Sequence, residues 1–296
     1  MRNTLFKHQQ GAFDSLLATS KAFFTADWQE LPVKPRFSRF VVGPSGSGKT
    51  HIVQAVAEQL DLPLYSVDAT NWMPLGASDR AARSTWADIA EFIGNNPKGI
   101  IFVDELDKLG HAEGHGSSWM QYLRVEIFAL LDRRLPQHLT LPEGFDSDER
   151  PATIRLISNR LRNGMMLIGA GAFQSLWEAR AKKAIGLIPS KEQCRTDFSH
   201  KDMQKSIPTE LANRFAGPVL VLKPLQEEDY RQLLRRAASA LPKDIAGHMV
   251  RNGRKEIHSA VENDLGVRWV EELLLKSLVQ KSARKTDVPH LFNAAA

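Results

Sequence analysis

The chain has 296 residues, 43% hydrophobic and 25% charged, with a formal net charge of +5; that supports one large domain or two modest ones and excludes a disordered tail protein or a disulfide-stapled miniprotein. The mildly basic balance permits nucleic acid or acidic partners without demanding either. A single cysteine, Cys194, cannot close an internal disulfide, no apolar run approaches the roughly 20 residues of a membrane span, and Met1–Gln10 lacks the apolar stretch of a signal peptide, so the expectation is a soluble cytoplasmic protein with no membrane partner.

In chain order, five short apolar runs read as strands: Arg39–Val42, Leu64–Val67, Gly99–Val103, Met165–Ile168 and Val219–Leu222. They are apolar throughout, not alternating, as strands of a parallel sheet covered on both faces should be. Between Lys49 and Leu60 the residues Ile52, Val53, Val56 and Leu60 fall on one helical stripe, which Pro63 ends. Strand and helix alternate over residues 1–222, predicting a doubly wound α/β domain. After Pro224 only helical patterns follow. One opens on Glu227, Glu228 and Asp229 and closes on Arg235 and Arg236, as the helix dipole prefers. Others are expected over 243–251, 255–263 and 268–284, making 223–296 a small helical domain.

Gly43, Pro44, Ser45, Gly46, Ser47, Gly48, Lys49 and Thr50 form a complete G-x-x-x-x-G-K-[ST] run between the first strand and its helix. Such glycines let successive backbone N–H groups face phosphates at a helix N-terminus. Lys49 reaches the β- and γ-phosphates, and the Thr50 hydroxyl ligates Mg²⁺. The third strand ends in Asp104 and Glu105, which places two carboxylates at the carboxyl edge of the sheet. Asp104 would hold the Mg²⁺ shell, through water, and Glu105 would orient and polarise the attacking water. Hydrolysis of the nucleotide is therefore expected.

On these motifs and on finer detail the sequence resembles an AAA+ ATPase of the ClpX/HslU unfoldase branch, from about Leu5 to about Val279. The detail lies in the runs Leu62–Thr70, Asp104–Leu109, Leu167–Phe173, Ile207–Phe215 and Gly266–Arg268. The resemblance implies a P-loop NTPase domain followed by a small helical lid, with ATP and Mg²⁺ as cofactors. It also implies that Arg214 is an arginine finger acting on the nucleotide of a neighbouring subunit, that Arg268 is the sensor 2 arginine, and that the chain forms a homo-oligomer, a hexameric ring, acting on a protein substrate. Ile185, Gly186 and Leu187 match the apolar–Gly–apolar tripeptide with which such unfoldases dock a ClpP-like peptidase; alone, the same tripeptide reads as a small packed turn.

Departures from the branch pattern are informative. Gly76–Asp79 stand where its pore loop carries an aromatic residue. Trp72 and Met73, a few residues earlier, are either a re-registered grip on polypeptide or packing residues under the loop. Gly169–Gly171 offers no sensor 1 side chain, and Gln174 is the nearest polar residue. His111, Glu113 and His115 read as loop contacts, not as a metal site, and Cys194 as a bystander. The basic runs Arg133–Arg134, Arg251–Lys255 and Lys281–Lys285 read as solvated helix faces. Two functions follow: an ATP-driven protein remodeller or unfoldase, favoured by motif order and tripeptide, and a DNA-associated ATPase of the transposition-regulator or helicase-loader type. The missing aromatic and basic charge favour the second, but DNA is the less favoured partner.

Overall fold

A computed structural model describes residues 5–75, 83–110, 118–137, 139, 150–177, 198–215 and 217–286. Among them five strands, β1 (Arg39–Val42), β2 (Leu64–Asp68), β3 (Gly99–Asp104), β4 (Met165–Gly171) and β5 (Leu220–Val221), form one sheet in the order β2-β3-β4-β1-β5. All four pairings are parallel. This is the expected doubly wound α/β architecture. The chain divides into two compact units, the first Met1–Gly43 with Lys49–Lys223, the second Pro44–Gly48 with Pro224–Ala296.

In the first unit β1, β3 and β4 are buried on both faces, which is why they carry no polar alternation, while the edge strand β2 is only partly covered. Val41, Ile100, Phe102, Met166 and Ile168 face α1 (Lys7–Thr25) and α2 (Lys49–Gln59). Phe40, Val42, Ile101, Val103 and Leu167 face α3 (Thr85–Asn95), α4 (Ser118–Leu131) and α5 (Arg150–Asn163). Helix α1, not anticipated from the sequence, buries Ala12, Phe13, Leu16, Ser20 and Phe23 at helical spacing. No described helix is long and apolar enough to cross a membrane.

The segment after β2 resolves one open alternative. Trp72 is only 2% exposed, and its indole N–H donates to Glu126 Oε2 at 2.8 Å. Trp72 is therefore packing, held from α4, and is not available as a grip on polypeptide; Met73 is exposed. The other Glu126 oxygen accepts from Leu75 N at 2.7 Å. Met73 N donates to Thr85 Oγ1 at 2.8 Å, and Thr85 N donates to Met73 O at 2.9 Å. Gly76–Asp79, His111, Glu113, His115, Cys194 and the tripeptide Ile185–Leu187 lie outside the described residues.

The second unit holds α6 (Glu227–Ser239), α7 (Lys243–Glu262) and α8 (Arg268–Thr286). Helix α7 is continuous where two helices were expected. In the gap left between them, Gly253 is a crossing point: a Cβ there would lie 2.8 Å from both Leu234 δ-carbons and 3.1 Å from Leu273 Cδ1. Tyr230 ties the unit together. Its hydroxyl donates to Ala260 O at 3.0 Å and accepts from Gly266 N at 2.8 Å, and its ring meets Trp269 edge-on at 5.2 Å. Burial, first, and the nearby Asp264 and Asp229 raise the phenol's pKa above its ordinary value, against the lowering by the Gly266 N–H. Tyr230→Phe should leave the Gly266 N–H without its partner, while Ala260 O keeps Leu265 N at 3.1 Å, and cost about 1–3 kcal/mol; an unchanged urea midpoint would refute the linkage.

Pro44–Gly48 also packs within this unit. Val267 N donates to Gly46 O at 3.2 Å. Gly46 and Gly266, with φ of 75° and 66°, approach so closely that a Cβ on Gly46 would sit 2.9 Å from Gly266 Cα. Both positions need glycine twice over, for the left-handed backbone and for the contact.

Candidate functional site

The phosphate-loop motif lies between β1 and α2. Gly43 N donates to Gly171 O at 3.4 Å, prolonging the β1–β4 ladder to the edge of the loop. Helix α2 then starts at Lys49 with no acidic residue in its first turn, leaving its positive end open to an anion. Lys49 Nζ donates to Gly43 O at 3.0 Å, so the ammonium group is folded back over the loop. Thr50 Oγ1 donates to Asp104 Oδ2 at 3.2 Å. A hydroxyl and a carboxylate are hard oxygen donors, the set Mg²⁺ takes alongside waters and phosphate oxygens.

Charge supports the same fit. Asp68 and Asp104 are directly paired across β2 and β3. Partial burial, then the negative charges of Asp104 and Glu105, raise the Asp68 pKa above the usual carboxylate value. A divalent cation beside these carboxylates would relieve that repulsion. The residues present thus fit magnesium ATP: Lys49 and the N-terminus of α2 on the phosphates, Thr50 and Asp104 on the metal. Replacing Lys49 by Ala should weaken nucleotide binding about a hundredfold, the loss of one or two charge-assisted hydrogen bonds. Titration of a fluorescent ATP analogue reads it, and undiminished affinity would count against this assignment.

Glu105 has a left-handed backbone, φ 58°, which costs a non-glycine residue roughly 1–2 kcal/mol. The turn is stabilised from both sides: Glu105 N donates to Asp104 Oδ1 at 2.8 Å, and Lys108 N to Glu105 O at 2.9 Å. Thr70 Oγ1 donates to Glu105 Oε2 at 2.8 Å. Thr70 was legible only as part of the Leu62–Thr70 resemblance; its bond to Glu105 was not foreseen. Asp107 was likewise missed as a positioning residue. Its carboxylate accepts from Ala172 N at 3.2 Å and Phe173 N at 3.0 Å, fixing the end of β4. The glycines of β4 have a packing reason: a Cβ on Gly169 would lie 2.6 Å from both Leu106 Cδ1 and Phe215 Cζ. No sensor side chain fits there, and Gln174 is exposed.

The two arginines named from the sequence stand differently. Arg268 is exposed at the start of α8. Arg214 is engaged by its own chain: Nε and Nη2 donate to the two Asp132 oxygens at 2.8 and 2.9 Å, and Nη1 to Glu210 O at 2.7 Å. Its guanidinium also lies 4.3 Å from the centre of the Phe128 ring. Arg133 is no solvated face residue. It has a left-handed φ of 57°, donates to the carbonyls of Leu161, Arg162 and Met165 at 2.9, 3.3 and 2.6 Å, and is pushed by burial to a pKa of about 10.

Comparison with known proteins bears on this site. The family described as "ATPase family associated with various cellular activities (AAA)" matches residues 40–171, from β1 through β4. The ATP-dependent zinc metalloprotease FtsH 2 of Bdellovibrio bacteriovorus is 36% identical over 107 residues, which is 36% of this chain and 16% of that protein. The FtsH of Marinobacter nauticus is 30% identical over 109 residues, 37% of this chain and 16% of its own length. That of Caulobacter vibrioides is 30% identical over 124 residues, 42% and 18% respectively. The chain therefore matches about a sixth of the length of these relatives, and they are FtsH proteins, not the ClpX or HslU suggested by the motifs.

Proposed function

We propose that the protein is an AAA ATPase, with ATP and Mg²⁺ as its cofactors, that drives the remodelling or unfolding of other proteins; the family match over residues 40–171 supports this reading. The observation that carries the reading is the juxtaposition of Thr50 with Asp104 and of Glu105 with Thr70 at one sheet edge. That arrangement is built for turnover as well as binding. Relatives named as ATP-dependent proteases support polypeptide as the substrate.

Magnesium ATP supplies the phosphoryl group and a neutralising cation. Lys49 and the α2 N-terminus would hold the phosphate chain, and Thr50 and Asp104 would hold the metal. Glu105, oriented by Thr70, aligns a water and accepts its proton. Arg214, released from Asp132, acts in a neighbouring subunit of a hexameric cytoplasmic ring, and Arg268 contacts nucleotide from the helical unit. The finer reading keeps the ClpX-like branch, with Ile185, Gly186 and Leu187 docking a separate ClpP-like peptidase.

Steady-state ATP turnover measured alone, with an unfolded polypeptide and with duplex DNA, using Glu105→Gln as blank, tests the reading. Stimulation by polypeptide is expected. Stimulation by DNA alone would replace it with the DNA-associated alternative. Retention of a ClpP-type peptidase by the parent chain, lost in Ile185→Ser/Leu187→Ser, tests the docking tripeptide; equal retention by both removes it.

A further inference from the structure

The helical unit carries a face that the ATPase chemistry leaves unused. Helix α7 buries Ile245, Met249, Gly253, Ile257 and Ala260. At 3.6 residues per turn its opposite side presents Gly247, Arg251, Arg254, Lys255 and His258, all exposed. Arg251, Arg254 and Lys255 make no side-chain hydrogen bond or ion pair among the described residues; His258 Nε2 lies 3.4 Å from Glu262 Oε1. Beside this row of cations, α6 and α7 enclose a groove of about 670 Å³. Leu234, Val250 and Ile257 give it an apolar lining, and Arg254 and His258 belong to its α7 side. On the α6 side Glu227 and Glu228 are held by Arg231 and Arg235.

Gly247 adds an independent observation. A glycine inside a helix costs stability that alanine would not. At Gly253 the leucines crossing over it explain that cost; at Gly247 a Cβ would meet nothing within 4 Å. The helix is thus thinnest on the side where its cations stand, and another chain can approach its backbone closely there. Arg251 and Lys255, four residues apart, repel each other, and a bound anionic group turns that repulsion into attraction. The surroundings define the anion. Helix α7 has no Phe, Tyr or Trp for a nucleobase to stack on. Asp244 and Glu262 stand on the same face, five turns and about 27 Å apart, so a nucleic-acid strand following the row would run onto carboxylates. The groove beside the row calls for hydrocarbon side chains next to negative charge, a combination that polypeptide supplies and a phosphate backbone does not.

We infer that this face docks an acidic segment of a partner protein, with its carboxylates on Arg251, Arg254 and Lys255 and its apolar side chains in the groove over Leu234, Val250 and Ile257. The segment passes close to the α7 backbone at Gly247. Docking here draws on neither nucleotide nor hydrolysis nor assembly. In a remodeller of proteins it supplies a recognition step separate from the mechanical one.

A fluorescein-labelled dodecapeptide of Glu and Leu in equal number, titrated without nucleotide into the full-length chain, reads the docking by anisotropy. It should bind with an affinity that falls as salt rises, and versions with Gln for Glu or Ser for Leu should bind more weakly. Arg251→Ala, Arg254→Ala and Lys255→Ala should each weaken binding about two- to fivefold, as single exposed charge pairs do. Gly247→Glu should raise the urea midpoint, because glutamate is the better helix former and pairs with Arg251 four residues on, yet weaken peptide binding about tenfold. Arg155→Ala, which removes an exposed arginine of α5, should change nothing. Absence of binding overturns the proposal, as does binding indifferent to the three cations or lowered equally by Arg155→Ala. Tighter binding of duplex DNA through the same residues would overturn it by assigning the face to nucleic acid. Self-association of the chain that Gly247→Glu abolishes would overturn it by assigning the face to a second copy. ATP turnover without peptide should equal the parent's in every variant, so failure of the docking is distinguishable from failure of the remodelling function.

Discussion

Arg214→Ala should lower ATP turnover by about a thousandfold or more while leaving nucleotide affinity nearly unchanged, because an arginine finger supplies roughly 10³–10⁵ in rate. The ion pair to Asp132 does not stand in the way. Its partners are 23% and 35% exposed, and partly exposed pairs contribute about 0–1 kcal/mol, far below the several kcal/mol that such a rate factor represents. Asp132→Asn should therefore change turnover only a few-fold. Mixing Arg214→Ala with Lys49→Ala subunits reads the action in trans, since one variant keeps the finger and the other the phosphate loop. Recovery of turnover on mixing is the expected result. If no mixing ratio restores activity, Arg214 is left as the structural partner of Asp132 and Glu210.

Glu105→Gln should bind ATP as the parent does and turn it over about 10²–10⁴ times more slowly, the usual contribution of a positioned general base. The amide keeps the shape of the side chain and can still accept from Thr70, so the folded structure should be unaltered. Because the left-handed backbone at residue 105 belongs to the turn and not to the carboxylate, its strain persists in the variant. Rapid-quench measurement of a single turnover separates this effect from slow product release. A chemical step as fast as the parent's would remove Glu105 from the reaction.

Much of the fold was legible because the relevant signals are local. The strands are short, apolar and bounded by turn residues, and four of them start where the sequence places them. β5 is shorter than the run Val219–Leu222, yet Leu222 N still donates to Val42 O at 2.7 Å. The phosphate loop and the Asp104–Glu105 pair were legible for the same reason: motif, strand and helix are contiguous. What escaped the sequence depends on distant partners. Thr70 meets Glu105, Glu126 meets Trp72, and Asp132 meets Arg214 across 35, 54 and 82 positions, and no periodicity records such meetings. The continuity of α7 through Gly253 was not legible either, because the leucines that cross over it, Leu234 and Leu273, come from the other two helices. Arg133 misled because its carbonyl partners, at the end of α5 and the start of β4, lie 28–32 positions away.

The paired bonds between Met73 and Thr85, with Glu126 on Leu75, have an engineering consequence. They close a gauge of fixed width at the base of whatever residues join the two positions. The cost of closing a loop grows only slowly with its length, about 0.6 kcal/mol per doubling. Lengthening the chain between Leu75 and Arg83 should therefore cost little folding stability, because the bonds that close this base are made by Met73, Leu75, Thr85 and Glu126 themselves.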